Sequence, residues 1–449
     1  MKNKYLSVLI TISLLFSVFA QDNNRKDVSI TVYNSNLGVV KDVREMDVKE
    51  GINELKLSDV AKFIDPTSVH IKINGNILEQ NYQYDLVSTD KILQKYIDKE
   101  VNLIAEDGTI FGGKLLSVYS GQYVIQKDDG GLLMIPNIED YKISVESLPN
   151  GLITKPTLVW LVQSNSNKKQ DIEVTYQTSG ISWSAEYVAL LNENDTKLDL
   201  NSWVSINNNS GAAYENAKLK LIAGDINLVS NRQYPMMMKS QYDAGVLAEA
   251  PPQFEEKSFF EYHIYDLQRR TTVADNETKQ ISLFESEGVS INKKYVYRSG
   301  NGNKVGVFVE FKNSSENKLG MPMPKGKVRV YKSDGDSPQF IGEDMLNHTP
   351  KNEKISLKIG DAFDVLAEEK LVTNNRITNK VSEQEFEVTI KNRKDEKVTV
   401  NVEKYLGNNW EIKSSNFEYK KADASKVEWN VPVSSDSEVV LKFKVRYEY

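Results

Sequence analysis

The 449-residue chain contains no cysteine, which excludes disulfides, thiolate metal sites and thiol nucleophiles. Stability must therefore come from burial. Histidine is almost as scarce: His70, His263 and His348 are the only three. None forms the H-E-x-x-H spacing that sets two imidazoles one helical turn apart for zinc. They stand in separate strand or turn contexts, and their convergence is not expected. Also missing are the G-x-S-x-G elbow of α/β hydrolases, the G-x-x-x-x-G-K-[ST] phosphate loop and a G-x-G-x-x-G opening a helix. The glycine-rich "GNGNKVGVF" leads into a strand pattern, so it lacks the helix N-terminus that would hold phosphate. Helical spacing is confined to "DKILQKYIDKE", where Ile92, Leu93, Tyr96 and Ile97 share a face.

Long apolar runs are likewise absent after the first twenty residues. Those twenty, "MKNKYLSVLITISLLFSVFA", place two lysines before an uncharged run from Tyr5 to Phe19 and end in small residues around Ala20. The pattern predicts a secretory signal peptide over 1–20, cleaved between Ala20 and Gln21. The run is shorter than the ~20 apolar residues of a membrane span. Lys2 and Lys4 leave with it, so 56 basic residues against 63 acidic become 54 against 63, a net charge of −9. That balance disfavours nucleic acid and anionic lipid as partners.

What the chain has in abundance is period two. "DIEVTY" alternates Ile172, Val174 and Tyr176; "KVGVFVEF" alternates Val305, Val307, Val309 and Phe311; "EFEVTIK" alternates Phe386, Val388 and Ile390. Such runs describe strands with one buried and one wet face. Between them, "AEDGTIFGG", "QKDDGGLL" and "KSDGDSP" supply hairpin turns. Asp334-Gly335-Asp336 lacks the distant glutamate of a calcium loop and reads as a turn.

The expected fold is all-β: multidomain β-sandwiches with an SH3- or Sm-like small barrel and a C-terminal Ig-like sandwich. Residues 21–90 are an N-terminal β region, and 91–150 hold the small barrel behind the single helix. A central sandwich covers 151–370, interrupted at 231–257 by a mobile loop with three prolines and Met236-Met237-Met238. The methionines offer an alternative reading as an adaptable contact surface. Residues 371–449 form the Ig-like sandwich, whose last strand aligns Val439, Leu441, Phe443, Val445, Tyr447 and Tyr449. An aromatic-ended strand of this kind also suits an outer-membrane barrel, a third reading.

"EYHIYDLQRR", residues 261–270, is the stretch most like a catalytic cluster. Its aromatic and β-favouring content reads instead as a strand, with Tyr262 and Ile264 on one face and His263, Tyr265 and Leu267 on the other. Gly211 and Gly224 suit turns flanking a strand that buries Ala217, Leu219, Leu221 and Ala223. Trp183 and Trp203 suit core anchors, and Pro322, Pro324 and Gly326 shape the approach to "KVRVY".

Four segments in order, "VTYQTSGISWSAEYVALL", "LNSWVSINNNSGAAYENAKLKLIAGDI", "EYHIYDLQRRTTVADNETKQISLF" and "MPMPKGKVRVYKSDGDSPQFIGEDMLNHTPKNEKISLKIGDAFDV", resemble the bacterial mucoidy-inhibitor-A-like proteins. The likeness runs over roughly 28–449. It implies an exported β-rich protein whose main domain is of unknown function, with no established catalytic residues. Some of those relatives place a coiled-coil-like segment where this chain has the expected small barrel. No catalytic residue, cofactor or metal site is assigned.

The function expected is that of an exported non-enzymatic protein, periplasmic, at the cell surface or extracellular. Its expected partners are envelope or surface proteins or glycans. The alternative is an envelope hydrolase that acts on glycans or peptides through carboxylates drawn from separate strands.

Overall fold

The computed structural model describes residues 25–136, 141–228, 253–300 and 302–448. The expected leader, its Ala20–Gln21 cleavage point and residues 231–252 of the expected loop lie outside them. Two compact units are present. One comprises residues up to 29, 40–60 and 65–176, and the other 30–39, 61–64 and from 177 onward.

In the first unit the strands are β1 (Arg25–Tyr33), β2 (Gly38–Val48), β3 (Gly51–Ser58), β4 (His70–Lys72) and β5 (Asn76–Gln83). Helix α1 (Thr89–Lys95) precedes β6 (Glu100–Ala105), β7 (Ile110–Tyr119), β8 (Gln122–Gln126), β9 (Leu132–Ile135) and β10 (Tyr141–Ser144). The unit closes with β11 (Thr157–Ser164) and β12 (Lys168–Thr178); the last two residues of β12, residues 30–33 of β1 and residues 38–39 of β2 belong to the second unit. Hydrogen-bonded orders are β1-β2-β12-β4, β3-β11-β5 and β10-β6-β7-β8-β9. The Ser88 hydroxyl caps α1 by accepting the Lys91 N–H at 3.3 Å. The helix buries Leu93 and Tyr96 on a core of Val101, Leu103, Leu115 and Ile125. Here the expected small barrel takes the form of an open sheet, because β9 and β10 are its two ends among the described residues.

A buried charge cluster ties the start of this unit together. Asp42 is fully buried and its Oδ2 accepts from Arg44 Nη2 at 2.8 Å and Arg25 Nε at 3.1 Å. Removing one partner of such a cluster leaves a charge uncompensated away from water.

The second unit begins with β13 (Ile181–Leu191), β14 (Lys197–Asn208), β15 (Tyr214–Ala223), β16 (Phe254–Phe259), β17 (Tyr262–Leu267) and β18 (Thr271–Val273). Residues 254–257 of the expected loop are thus strand. Next come β19 (Glu277–Ser290), β20 (Asn292–Arg298), β21 (Lys304–Lys312), β22 (Gly326–Ser333), β23 (Pro338–Leu346) and β24 (Lys354–Thr378). The last are β25 (Val381–Asn392), β26 (Val398–Tyr405), β27 (Trp410–Ser415), β28 (Tyr419–Lys421), β29 (Lys426–Val433) and β30 (Ser437–Glu448).

One layer has the order β16-β17-β15, with β18 also on β15, and faces a second layer, β19-β14-β13-β22-β23. Trp183 of β13 crosses between them: its ring meets Tyr265 edge-on at 6.0 Å and its Nε1–H donates to Ile222 O at 3.0 Å. Trp203, the other expected anchor, is only partly buried, because it stands opposite Glu186 on the wetter row of β14. Strand β22 runs parallel to β13, and a Cβ on Gly326 would stand 1.9 Å from the Ala185 carbonyl oxygen. Glycine is therefore required where the two strands first meet.

The remaining sheet has the order β27-β30-β25-β24-β21-β20-β26-β29-β28. Its two ends fold over a shared core, since Trp429 of β29 lies 4.4 Å from Phe443 of β30, six places away in the order, and Phe443 stacks on Phe386 at 5.3 Å. The result is a sandwich. Leu441, Phe443 and Val445 are buried, while Val439 and Tyr447 pack against the same core. Every sheet here is open among the described residues, with no closed ring of strands, which overturns the outer-membrane-barrel reading. No helix among the described residues is long and apolar enough to cross a membrane.

Each fully buried side chain of β30 is worth roughly 1.5–3 kcal/mol, against a domain's net ~5–15 kcal/mol. Truncation before Glu438 is therefore expected to abolish cooperative melting of this sandwich, and Phe443→Ala to cost about 3–5 kcal/mol. Thermal melts like those of the full chain would contradict both.

Candidate functional site

In the second unit, the end of β15, the start of β17 and the segments flanking the β22–β23 hairpin enclose a cleft of about 280 Å³. Its floor and one side come from the sheet. His263 stands in register with Ala223, one strand in from the edge strand β16. Beyond Ala223 the chain turns at Gly224 with φ +140°, where a Cβ would lie 2.4 Å from the Tyr262 ring. Only glycine lets the backbone pass so close to that ring.

The opposite side is two extended segments held by side chains from the core. Met323 and Thr349 exchange backbone hydrogen bonds of 2.9 Å in both directions. The buried Asn313 amide donates to Met321 O at 2.8 Å and Pro350 O at 3.0 Å, and its Oδ1 accepts the Gly320 N–H at 2.9 Å. One amide thus fixes both segments. Two phenols add to this: Tyr265 donates to Pro322 O at 2.9 Å and Tyr187 to Pro324 O at 2.7 Å. Burial pushes both phenols well above the usual tyrosine range, so they stay protonated donors. Pro322, Pro324 and Pro350 line the cleft and give it stiff apolar walls.

The polar groups within it are two imidazoles and two carboxylates, His263, His348, Asp225 and Glu261. His348 Nδ1 accepts the Lys325 backbone N–H at 3.1 Å. That bond assigns the ring proton of neutral His348 to Nε2. This Nε2 is buried and has no hydrogen-bond partner. Burial pushes the His348 pKa down; the neighbouring Lys325 and His263 push the same way, and Asp225 opposes them. The ring is therefore a neutral donor aimed at nothing in the protein. His263 differs: its Nδ1 lies 2.7 Å from Glu256 Oε1, an interaction that in the neutral ring holds the proton on Nδ1 and leaves the lone pair on Nε2.

Metal chemistry does not suit this set. Among the described residues no three His, Asp or Glu side chains could hold an ion together, and His348 Nε2 carries a proton where a ligand needs a lone pair.

The residues singled out in the sequence fall in several places. "EYHIYDLQRR" supplies β17, and Ile264, Tyr265 and Leu267 are buried, as a strand covered on both faces requires. The convergence of His263 and His348 was not expected and is the main correction. The available signal was the proline clustering in "MPMP" and "HTP" beside a histidine. His70 opens β4 in the first unit, opposite Thr175, and takes no part. Asp334 is used by its own hairpin: Oδ1 accepts from Asp336 N at 3.0 Å and Ser337 N at 2.9 Å, bonds that hold its carboxyl below the usual range. In the glycine-rich stretch, Gly302 O accepts from Tyr297 Oη at 3.1 Å within the β20–β21 hairpin.

Because the folded pKa of His348 lies below its unfolded value of ~6.5, the unfolded chain binds more protons at acid pH. The contribution of His348 to stability is complete above that pH and is lost as pH falls through the folded pKa. His348→Gln, which cannot titrate, should flatten the fall in melting temperature between about pH 7 and pH 5. Equal slopes for the two proteins would contradict the assignment.

The cleft and all the side chains that shape it lie within a region that known families recognise. A search of curated proteins gives no match. Residues 172–449, more than half of the chain, match the family described as Domain of unknown function (DUF4139), and the chain belongs to that family.

Proposed function

We propose that this is an exported, non-enzymatic protein that recognises a partner of the cell envelope or surface through the His263–His348 cleft. The observation that carries the reading is the cleft itself, with two imidazoles and two carboxylates in its lining and a wall pinned by Asn313, Tyr187 and Tyr265. Concave, pre-formed sites with a small number of placed polar groups are the usual places for a ligand to dock. Export is supported by the signal-like residues 1–20 and by the resemblance to mucoidy-inhibitor-A-like proteins; periplasm, cell surface and medium all agree with them. The net negative charge argues against nucleic acid as the partner.

A second reading, an envelope hydrolase, is favoured by a different feature. The Glu256–His263 pair orients an imidazole whose free Nε2 could act as a general base, in place of the paired carboxylates first considered.

Cross-linking from intact envelopes separates the two. His348→Phe should lose partner capture and Glu256→Gln should keep it, while the recovered protein starts at Gln21. Capture unchanged by His348→Phe would reject the binding role; turnover of envelope glycan or peptide that vanishes with Glu256→Gln would replace it with the hydrolase.

A further inference from the structure

We propose that two copies of this chain join edge to edge through the distal part of β24, residues 368–378, paired antiparallel about a two-fold axis near Val372 and Thr373.

The first observation is a strand with one side left open. β24 pairs antiparallel with β21 from Lys354 to Leu366, and the Ala367 N–H then donates to Asn303 O at 3.2 Å. From there to Thr378 its partner strand is β25 alone, on the other side, and β25 is itself covered by β30 from Val381 to Asn392. Among the described residues, 368–378 is therefore a sheet edge, roughly 35 Å long at a strand's rise. The outward backbone groups of such an edge are a template for one more strand.

The second is what the edge exposes. Leu371, Val372 and Ile377 are apolar and exposed, in a stretch with no proline and a single lysine, Lys370. Proline and repeated lysine are common devices that keep sheet edges apart. The register shift between Leu371 and Thr373 falls at the proposed axis, so a regular stretch of strand lies on each side of it.

The third observation selects a second copy as the occupant. One end of the edge opens on a hollow of about 500 Å³, lined by Tyr297, Gly300, Gly302, Asn303, Glu368 and Glu369. The other end is the turn into β25, where Arg376 Nε donates to Thr378 O at 3.3 Å and the Lys380 N–H to Thr378 Oγ1 at 3.1 Å. Antiparallel pairing about the centre of the edge carries the turn of each copy to the hollow of the other, and does so twice by symmetry. It brings Arg376 and Lys380 toward Glu368 and Glu369. Glu369 already accepts from Lys404 Nζ at 2.7 Å and Lys370 is close in sequence, so charge here sets the register more than the strength. A parallel pairing in register would stack Lys370 on Lys370 and Arg376 on Arg376, which like charges oppose.

The test uses the full mature chain. Sedimentation between about 1 and 100 μM should show a monomer–dimer equilibrium in the micromolar range. Val372→Lys and Val372→Glu each set like charges together at the axis and should weaken association about tenfold or more. An equimolar mixture of the two should recover it, because opposite charges then meet. The chain has no cysteine, so Val372→Cys or Thr373→Cys provides one thiol per copy. Diamide, taking up the two hydrogens, should join two such thiols in an intermolecular disulfide. Tyr419→Cys on the edge strand β28, 47% exposed against 42% for Val372, should stay unlinked. Melting curves like the parent's establish that each variant folds. A monomer at every concentration, association indifferent to the charge variants, a mixture no better than its components, or equal linking at β24 and β28 would each overturn the proposal. A monomer whose envelope capture is lost in Val372→Lys would give the edge to a foreign strand instead of a second copy.

Discussion

Side chains alternate across a pleated strand, and the strands of the cores in this chain bury one of their two rows. In β13 the inward row is Ile181, Trp183, Ala185, Tyr187, Ala189 and Leu191; in β30 it centres on Leu441, Phe443 and Val445. With no cysteine and no assembled metal ligands among the described residues, these rows are the chief source of stability. The register follows from them, since a slip by one residue would turn an entire row into water. Layers then form because two such rows must cover each other.

The cleft is a consequence of that layering. Tyr187 and Tyr265 are core residues whose rings pack between sheets, yet their hydroxyls reach out to the Pro322 and Pro324 carbonyls. Asn313, fully buried at the end of β21, adds the bonds that hold the segments before β22 and after β23 together. The wall bearing His348 is consequently anchored in the hydrophobic interior, and its geometry does not depend on the ligand arriving. Pre-organisation of this kind lowers the ordering cost of binding.

Much of this was legible in the sequence. Period two gave the fold class, "EYHIYDLQRR" read as a strand, and the row Ala217, Leu219, Leu221, Ala223 is buried as its spacing required. Other features were hidden for physical reasons. Strand β24 runs from Lys354 to Thr378, so residue 370 lies inside it; register shifts near Gly306 and Phe308 of its partner β21 and the polar stretch around Asp361 to Asp364 interrupt the alternation that marks a continuous strand. Trp203 sits on the outer row of β14, a choice of face that residue type alone does not reveal. The meeting of His263 and His348 depends on how two layers face each other, and no local pattern encodes that. Nor does composition disclose that Lys325 contributes its backbone N–H rather than its charge, the bond that sets the His348 tautomer.

The account rests most heavily on that tautomer, because a donor at Nε2 rules out a base or a metal ligand at the same atom. Nitrogen NMR of the histidine-labelled protein reads it directly. At pH 7 the account predicts a neutral His348 ring with its proton on Nε2. A ring protonated on Nδ1, or an imidazolium at that pH, would contradict it.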